Sequence, residues 1–105
     1  MLEGKFEIIE LVDTYGSLLT KTKEEIIKDY YLYDISLGEI AQSRNISRQA
    51  VHDSISKSID KLKIYEQNLK IIHKKKCLTK LFDEEKQKGN LSDAVYEKFL
   101  DILEV

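Results

Sequence analysis

Proline is absent from the 105-residue sequence, and glycine occurs only four times. Both residue types interrupt helices and mark turns, so their scarcity favours helical segments. Together with 42% apolar and 34% charged residues, this composition is typical of an all-helical soluble protein. The length corresponds to one domain with a single modest hydrophobic core.

Cysteine is nearly absent as well, and this bears on location. Cys77 is the only one, so no disulfide can form within the chain, and we expect a reducing, cytoplasmic environment. No apolar run approaches the length of about 20 residues that a membrane-spanning helix needs. The opening residues, MLEGKFEIIE, are acidic and lack the basic region and apolar core of a signal peptide.

Residues with the spacing of catalytic, metal or cofactor sites are equally sparse. His52 and His73 lie 21 positions apart without a cysteine or carboxylate at ligand spacing, so both are expected at the surface. Cys77 lacks the sequence context of a catalytic nucleophile, and Gly38 and Gly89 belong to no phosphate-binding loop. We therefore predict no enzymatic activity, no metal and no cofactor.

Two short helical patterns, separated by a polar joint, occupy the stretch SLGEIAQSRNISRQAVHDSI at 36–55. Ser36 is a favourable N-cap, and Glu39 three residues later completes a capping box. Asn45 tolerates the left-handed conformation that ends a helix, and Ser47 is positioned to cap the next one. This pattern predicts a helix-turn-helix. The side chains expected to fill the angle between its helices are Ile46 and Val51.

This stretch, together with SLLT at 17–20 and DYYLYD at 29–34, resembles the YlxM family of bacterial helix-turn-helix proteins. The resemblance extends over roughly residues 6–69. It implies a fold similar to the last DNA-binding region of sigma factors, region 4, and a DNA-binding or regulatory function. Because genes of that family neighbour those of the signal recognition particle, it also implies a link to that pathway.

The apolar pattern divides the chain into a helix-turn-helix head, residues 1–66, and a helical extension, residues 67–105. In the head, we expect a first helix over residues 5–16. A second helix should begin at a cap on Thr20 or Thr22 and end at about Tyr33. The fold prediction is therefore an all-α protein with a sigma region 4-like head.

Beyond the head, the recognition helix that follows Ser47 is expected to be long, because its apolar stripe meets no stop signal before Gly89. A break near Cys77–Thr79 is one expectation, and the charged stretch 83–88 is the expected loop or hinge. Ser92 should cap a last, strongly apolar helix.

The first turns of the recognition helix carry the side chains predicted to bind DNA. Arg48, Gln49 and His52 are expected to face base edges, where arginine pairs with guanine and glutamine with adenine. Cations on either side of them are expected to contact phosphates. The complete set of candidate DNA-binding residues is Arg44, Ser47, Arg48, Gln49, His52 and Lys57.

The charge of this region also supports a different interpretation, an exposed polar face that contacts nothing. The net charge of the chain is −2, and Asp53 lies among the candidate reading residues, where it would repel phosphate. Since phosphate neutralisation supplies most non-specific affinity, the head alone should bind duplex DNA weakly.

Lysines concentrate further along the chain. Between Lys57 and Lys80 there are eight lysines and two acidic residues, whereas residues 81–105 hold seven acidic residues and three lysines. The basic stretch suits RNA, DNA or an acidic protein surface, which makes an adaptor for the signal recognition particle the competing hypothesis. A solvated face, or pairing with the acidic segment 83–104, is the alternative. The candidate contact residues are Lys70, Lys74, Lys75 and Lys76.

The apolar stripe of the recognition helix extends further than a head of this size can cover. We therefore predict a homodimer, in which a seam between two copies places two reading heads on DNA. Burial in the core of one chain is the alternative. The predicted seam residues are Ile59, Leu62, Leu69 and Ile72.

Overall fold

A computed structural model describes residues 4–104, which form six α-helices and, within that range, no β-strand. The all-α prediction is therefore confirmed. A 3₁₀ turn at Gly16–Leu18 connects the first two helices. The helices are α1 (Lys5–Tyr15), α2 (Lys21–Tyr31), α3 (Leu37–Arg44), α4 (Arg48–Leu69), α5 (Ile71–Gln87) and α6 (Asp93–Leu103). The described residues fall into two compact units that divide between Lys70 and Ile71.

The first unit is organised around α4, which packs against α1, α2 and α3. Apolar residues of α4 recur every three or four positions, so they share one face of the helix, and that face is buried. Val51, Ile55 and Leu62 have no exposed surface at all. The other helices supply the rest of this core, which includes Ile8, Val12, Tyr15, Ile26, Ile27, Ile40 and Ala41.

Side-chain caps define where the helices of the head begin. Thr20, rather than Thr22, caps α2 by accepting a hydrogen bond from the backbone N–H of Lys23 at 3.4 Å. Ser36 caps α3, because its Oγ accepts a bond from the Glu39 N–H at 3.1 Å and donates one to the Glu39 carboxylate at 2.9 Å. The predicted start of this helix is thus confirmed, with the glutamate returning to the serine hydroxyl.

The joint of the helix-turn-helix follows the predicted geometry. Asn45 lies in the left-handed region, at φ 56° and ψ 44°, and ends α3. Ser47 then caps α4 by accepting a hydrogen bond from the Ala50 N–H at 3.0 Å. Ile46, however, is 41% exposed and does not fill the angle between the helices, so that expectation is wrong. Val51 is buried there as expected.

The long recognition helix ends much earlier than expected. α4 stops at Leu69, because Lys70 adopts the left-handed conformation with φ 55°. Such a conformation costs a residue with a Cβ about 1–2 kcal/mol, so sequence alone gives no reason to expect it at a lysine. The predicted continuation from Ser47 towards Gly89 is therefore wrong.

Two further expectations beyond Lys70 are also wrong. α5 is continuous through Cys77–Thr79, where a break was expected, and it includes most of the charged stretch 83–88. Glutamate, lysine and glutamine are good helix formers, so a charged run on an exposed helix need not be a loop. The turn does lie at Gly89, which has φ 79°, and Ser92 caps α6 as predicted.

The second unit is an antiparallel pair formed by α5 and α6. Phe82 stacks on Phe99 with ring centroids 3.8 Å apart. Nearer the turn, the Tyr96 hydroxyl donates a hydrogen bond to Asp83, which raises the pKa of Tyr96. The Lys86 ammonium donates one to Asp93, and this contact lowers the pKa of the Asp93 carboxyl. Contacts at the turn end therefore hold the two helices together.

Candidate nucleic-acid interface

The outer face of α4 presents a short row of polar side chains. Gln49, His52, Asp53 and Lys57 are all exposed and lie on the side of the helix opposite its buried apolar face. Because Ser47 ends the turn and caps the helix just before them, this row starts at the N-terminal end of α4. The row therefore begins directly after the turn of the helix-turn-helix.

Asp53 contacts two other side chains of this row. The Gln49 Nε2 donates a hydrogen bond to Asp53 Oδ1 at 2.9 Å, and His52 Nδ1 lies 3.7 Å from the same oxygen. All three side chains are exposed, so water competes with these contacts and each contributes little. The hydrogen bond from Gln49 to Asp53 nevertheless has to break before the glutamine amide could contact a base.

Arg48 does not extend from the row but folds against the start of α3. A Cβ built on Gly38 would lie 2.7 Å from Arg48 Nη2 and 2.9 Å from Nε, so the guanidinium lies directly on the glycine. None of the ion pairs among the described residues involves Arg48. An unpaired guanidinium near the positive end of a helix dipole is placed unfavourably unless an anion joins it.

The guanidinium of Arg48 lines a groove of about 650 Å³ on the head. Tyr30 and Ser36 line the same groove. At its edge the Lys5 ammonium lies 2.8 Å from Asp34 Oδ1, so this lysine is already paired. Arg48 is therefore the cation of this groove that remains available to an anionic ligand.

Two further predicted DNA-binding residues, Arg44 and Ser47, also have partners within the head. Arg44 Nη2 lies 2.9 Å from Glu25 Oε2 and 3.8 Å from Asp29 Oδ2, an arrangement that connects α3 to α2. Ser47 uses its hydroxyl oxygen to cap α4. Lys57, in contrast, is exposed and forms no ion pair with a described carboxylate.

The lysines that follow α4 are also exposed. Lys70 forms the junction between α4 and α5, and Lys74, Lys75 and Lys76 lie on the first turns of α5. Neither Lys70, Lys74 nor Lys75 pairs with a carboxylate in the described part of the chain. These positive charges are therefore available to a ligand or partner.

The four residues predicted to form a dimer seam differ in their exposure. Ile59 is 6% exposed and Leu62 is fully buried, so both belong to the core of the first unit. Ile72 is also buried, whereas Leu69 is 47% exposed. Of these four side chains, only Leu69 is accessible to a second copy.

Sequence reasoning did not find the contact between Gly38 and Arg48. One signal was present, because glycine is a poor helix former and stands at the second position of α3. A glycine at such a position suggests that another group approaches the backbone closely. The identity of that group depends on how α4 crosses α3, which a local pattern does not give.

No cluster of metal-ligating side chains occurs among residues 4–104. Within the same range, none of the helices is both long and apolar enough to cross a bilayer.

Comparisons with known proteins agree on one family. The model of the UPF0122 family, described as "Putative helix-turn-helix protein, YlxM / p13 like", matches residues 2–102. A UPF0122 protein of Malacoplasma penetrans is 41% identical over 91 residues, covering 87% of this chain and 84% of its own. One of Clostridium botulinum is 37% identical over 107 residues, covering 98% of both chains. One of Fusobacterium nucleatum is 39% identical over 80 residues, covering 76% of this chain and 78% of its own.

Proposed function

This chain belongs to the UPF0122 family of YlxM / p13-like helix-turn-helix proteins, and we propose that it is a non-enzymatic regulator that binds duplex DNA. The resemblance found in the sequence is thus confirmed as family membership. The observation that supports DNA binding is the joint itself, since Asn45 and the Ser47 cap leave the start of α4 exposed. That geometry suits insertion of α4 into the major groove.

In this proposal, the polar row of α4 reads bases. Gln49 and His52 lie one turn apart and face base edges, where the glutamine amide forms two hydrogen bonds with adenine. For this to happen, Gln49 exchanges its bond to Asp53 for bonds to the base. The exchange costs little because both groups are exposed to water.

Arg48 and Lys57 have a different role, which is to contact phosphates on either side of the groove. The contact between the Arg48 guanidinium and Gly38 brings the guanidinium next to the start of α3. Backbone N–H groups and a guanidinium together form a favourable site for a phosphate oxygen. Such a contact fixes the position of the protein on the duplex but does not itself read sequence.

Few cations take part, so the electrostatic share of binding is small. Arg44 is paired with Glu25 and Asp29, and Asp53 adds a negative charge to the polar row. Non-specific affinity should therefore be low and should fall only shallowly as salt increases.

Selection of binding sites from a random duplex pool, followed by titrations at several salt concentrations, tests this proposal. Gln49→Ala should cost about 1–3 kcal/mol on the selected site and relax the preference at one base pair. Lys57→Ala should weaken all sequences alike and reduce the salt slope by about one. Lys98→Ala, an exposed change on α6, is the matched control and should alter neither quantity. A pool that shows no enrichment at low salt would exclude sequence-specific binding.

The proposal extends to the cellular location, the oligomeric state and the pathway of the protein. We propose that the protein acts in the cytoplasm as a homodimer, because one head provides few phosphate contacts and a second head would add as many again. A connection to the signal recognition particle pathway follows from the family resemblance alone.

The second candidate function is an adaptor that binds RNA or protein of the signal recognition particle. The exposed and unpaired Lys70, Lys74 and Lys75 favour it. Crosslinking in intact cells separates the two candidates, because DNA should be recovered in one case and RNA or protein in the other. Changing these lysines to alanine should weaken crosslinking only under the adaptor hypothesis, whereas Gln49→Ala should weaken it only under the first.

A further inference from the structure

Asp53 lies at the centre of the outer face of α4. Leu62, which has no exposed surface, follows it by nine residues, or two and a half helical turns, so the two side chains point about 180° apart. The Asp53 side chain is 56% exposed. Gln49 lies one turn before it and Lys57 one turn after it, and both are exposed. A duplex that approaches this face of α4 therefore meets the Asp53 carboxylate.

The Asp53 carboxylate accepts its hydrogen bond from Gln49. Gln49 Nε2 lies 2.9 Å from Asp53 Oδ1, whereas Lys57, at the same spacing on the other side, forms no ion pair with a described carboxylate. His52 Nδ1, at 3.7 Å from the same oxygen, lies beyond hydrogen-bond distance. An ionised carboxylate only accepts hydrogen bonds, so Gln49 turns its amide NH₂ group towards Asp53.

Binding of DNA in the proposed manner removes this donor. When the Gln49 amide turns to an adenine, the Asp53 carboxylate stays on the outer face of the helix, close to the base edges. A carboxylate that leaves water without gaining a hydrogen bond is strongly unfavourable. Lys57 does not replace the glutamine, because it contacts a phosphate in the same complex. The duplex itself therefore has to supply a donor to Asp53.

Few groups in the major groove can be that donor. Guanine presents the acceptors N7 and O6, and thymine presents the acceptor O4, so both repel a carboxylate. Adenine carries a donor at N6, but its N7 acceptor lies beside it. Cytosine presents only the N4 amino group, which is a donor. Cytosine is therefore the base whose edge matches an aspartate.

We propose that Asp53 is a base-reading residue that selects a cytosine next to the base read by Gln49. The cytosine N4 amino group then donates to the carboxylate in place of the glutamine amide. Four residues of α-helix advance by about 6 Å and stacked base pairs by about 3.4 Å, so the two side chains reach base pairs no more than two steps apart. The assignment deepens the proposed function and rests on it, because it needs α4 in the major groove.

A purely electrostatic role of Asp53 leads to a different expectation. A carboxylate that only repels phosphates lowers the affinity for every duplex and creates no base preference. Asp60 allows the two roles to be separated, because it is exposed on the same face of α4, two turns further along. Removing the charge of Asp60 measures the electrostatic effect without the base contact.

The first experiment is the selection of sites from a random duplex pool with the full wild-type chain, Gln49→Ala and Asp53→Ala. We expect the wild-type site to contain a cytosine within two base pairs of the position whose preference is lost in Gln49→Ala. Asp53→Ala should lose the preference for that cytosine and keep the preference for the base read by Gln49. Because Asp53 is exposed, circular dichroism should show the same melting temperature for this variant and the wild type.

A change of specificity provides the second experiment. Asparagine has the length of aspartate but both donates and accepts hydrogen bonds, and it pairs with adenine through two of them. The wild type should bind its selected site about 5- to 100-fold more tightly than the same duplex with adenine in place of that cytosine. Asp53→Asn should reverse this order. Asp60→Asn is the matched control and should strengthen binding to both duplexes alike.

The outcomes distinguish this assignment from the proposed function. If Asp53→Asn strengthens binding to both duplexes as Asp60→Asn does and keeps the preference for cytosine, the assignment is wrong while DNA binding stands. A selected site without cytosine near the base read by Gln49 has the same consequence. A pool in which no sequence is enriched would overturn the assignment together with sequence-specific binding. A switch from cytosine to adenine in Asp53→Asn alone supports both.

Discussion

Replacing Ser58 by alanine should stabilise the head. Ser58 is only 1% exposed and lies on the buried face of α4, between Ile55 and Leu62. Its Oγ has no hydrogen-bond partner among the described residues. The hydroxyl thus lost its bonds to water on folding and gained none in return, which costs about 1–3 kcal/mol.

The substitution removes one oxygen atom and adds nothing, so the surrounding core needs no rearrangement. Alanine also favours the helix by about 0.5 kcal/mol relative to serine. The small void that is left reduces the gain slightly. We therefore expect a net stabilisation of about 1.5 kcal/mol, equivalent to a rise in Tm of about 6–12 °C for a unit of this size.

Thermal unfolding followed by circular dichroism measures this effect, with Ser56→Ala as the control. Ser56 lies on the same helix but is partly exposed, so its change reports helix propensity alone, about 0.5 kcal/mol. If Ser58→Ala gains no more than Ser56→Ala, the hydroxyl has a partner such as a buried water. The argument from an unsatisfied buried group would then be refuted.

Two further changes test the joint and the seat of Arg48. Asn45 has φ 56°, so Asn45→Gly should be neutral or stabilising by up to about 1 kcal/mol. Asn45→Val should destabilise the head by more than that. Equal melting temperatures for the two variants would contradict this. Gly38→Ala should displace the Arg48 guanidinium, which lies 2.7 Å from the added Cβ. Because a flexible side chain can move aside and alanine favours the helix over glycine, Tm should not fall, while duplex affinity should fall to the level of Arg48→Ala. An unchanged duplex affinity of Gly38→Ala would mean that the contact between Arg48 and Gly38 has no part in binding.

The parts of the fold that follow from local chemistry could be predicted from the sequence. Ser36, Ser47 and Ser92 are caps because a short hydroxyl side chain satisfies backbone N–H groups at a helix start, wherever the helix later packs. Asn45 forms the turn for a similarly local reason, since asparagine enters the left-handed region more easily than most residues. These signals act over four or five residues and can therefore be recognised without knowledge of the tertiary structure.

The end of α4 shows what such signals miss. Nothing in the residues around Lys70 disfavours a helix, and neither glycine nor proline lies nearby. The lysine nevertheless takes a left-handed conformation, which the local sequence does not predict. The position of Arg48 illustrates the same limit, because its contact with Gly38 arises only when α3 and α4 cross.

The weak positive charge of the proposed reading face affects how strongly one head could bind DNA. With Arg44 paired to Glu25 and Asp53 adding a negative charge to the polar row, one head would neutralise few phosphates, so it should not hold a duplex unaided. Linking two such heads makes the second binding event intramolecular, which raises the overall affinity without any new contact per head. Low charge on each head also limits binding to arbitrary DNA, so specificity would depend on both heads finding a base sequence together.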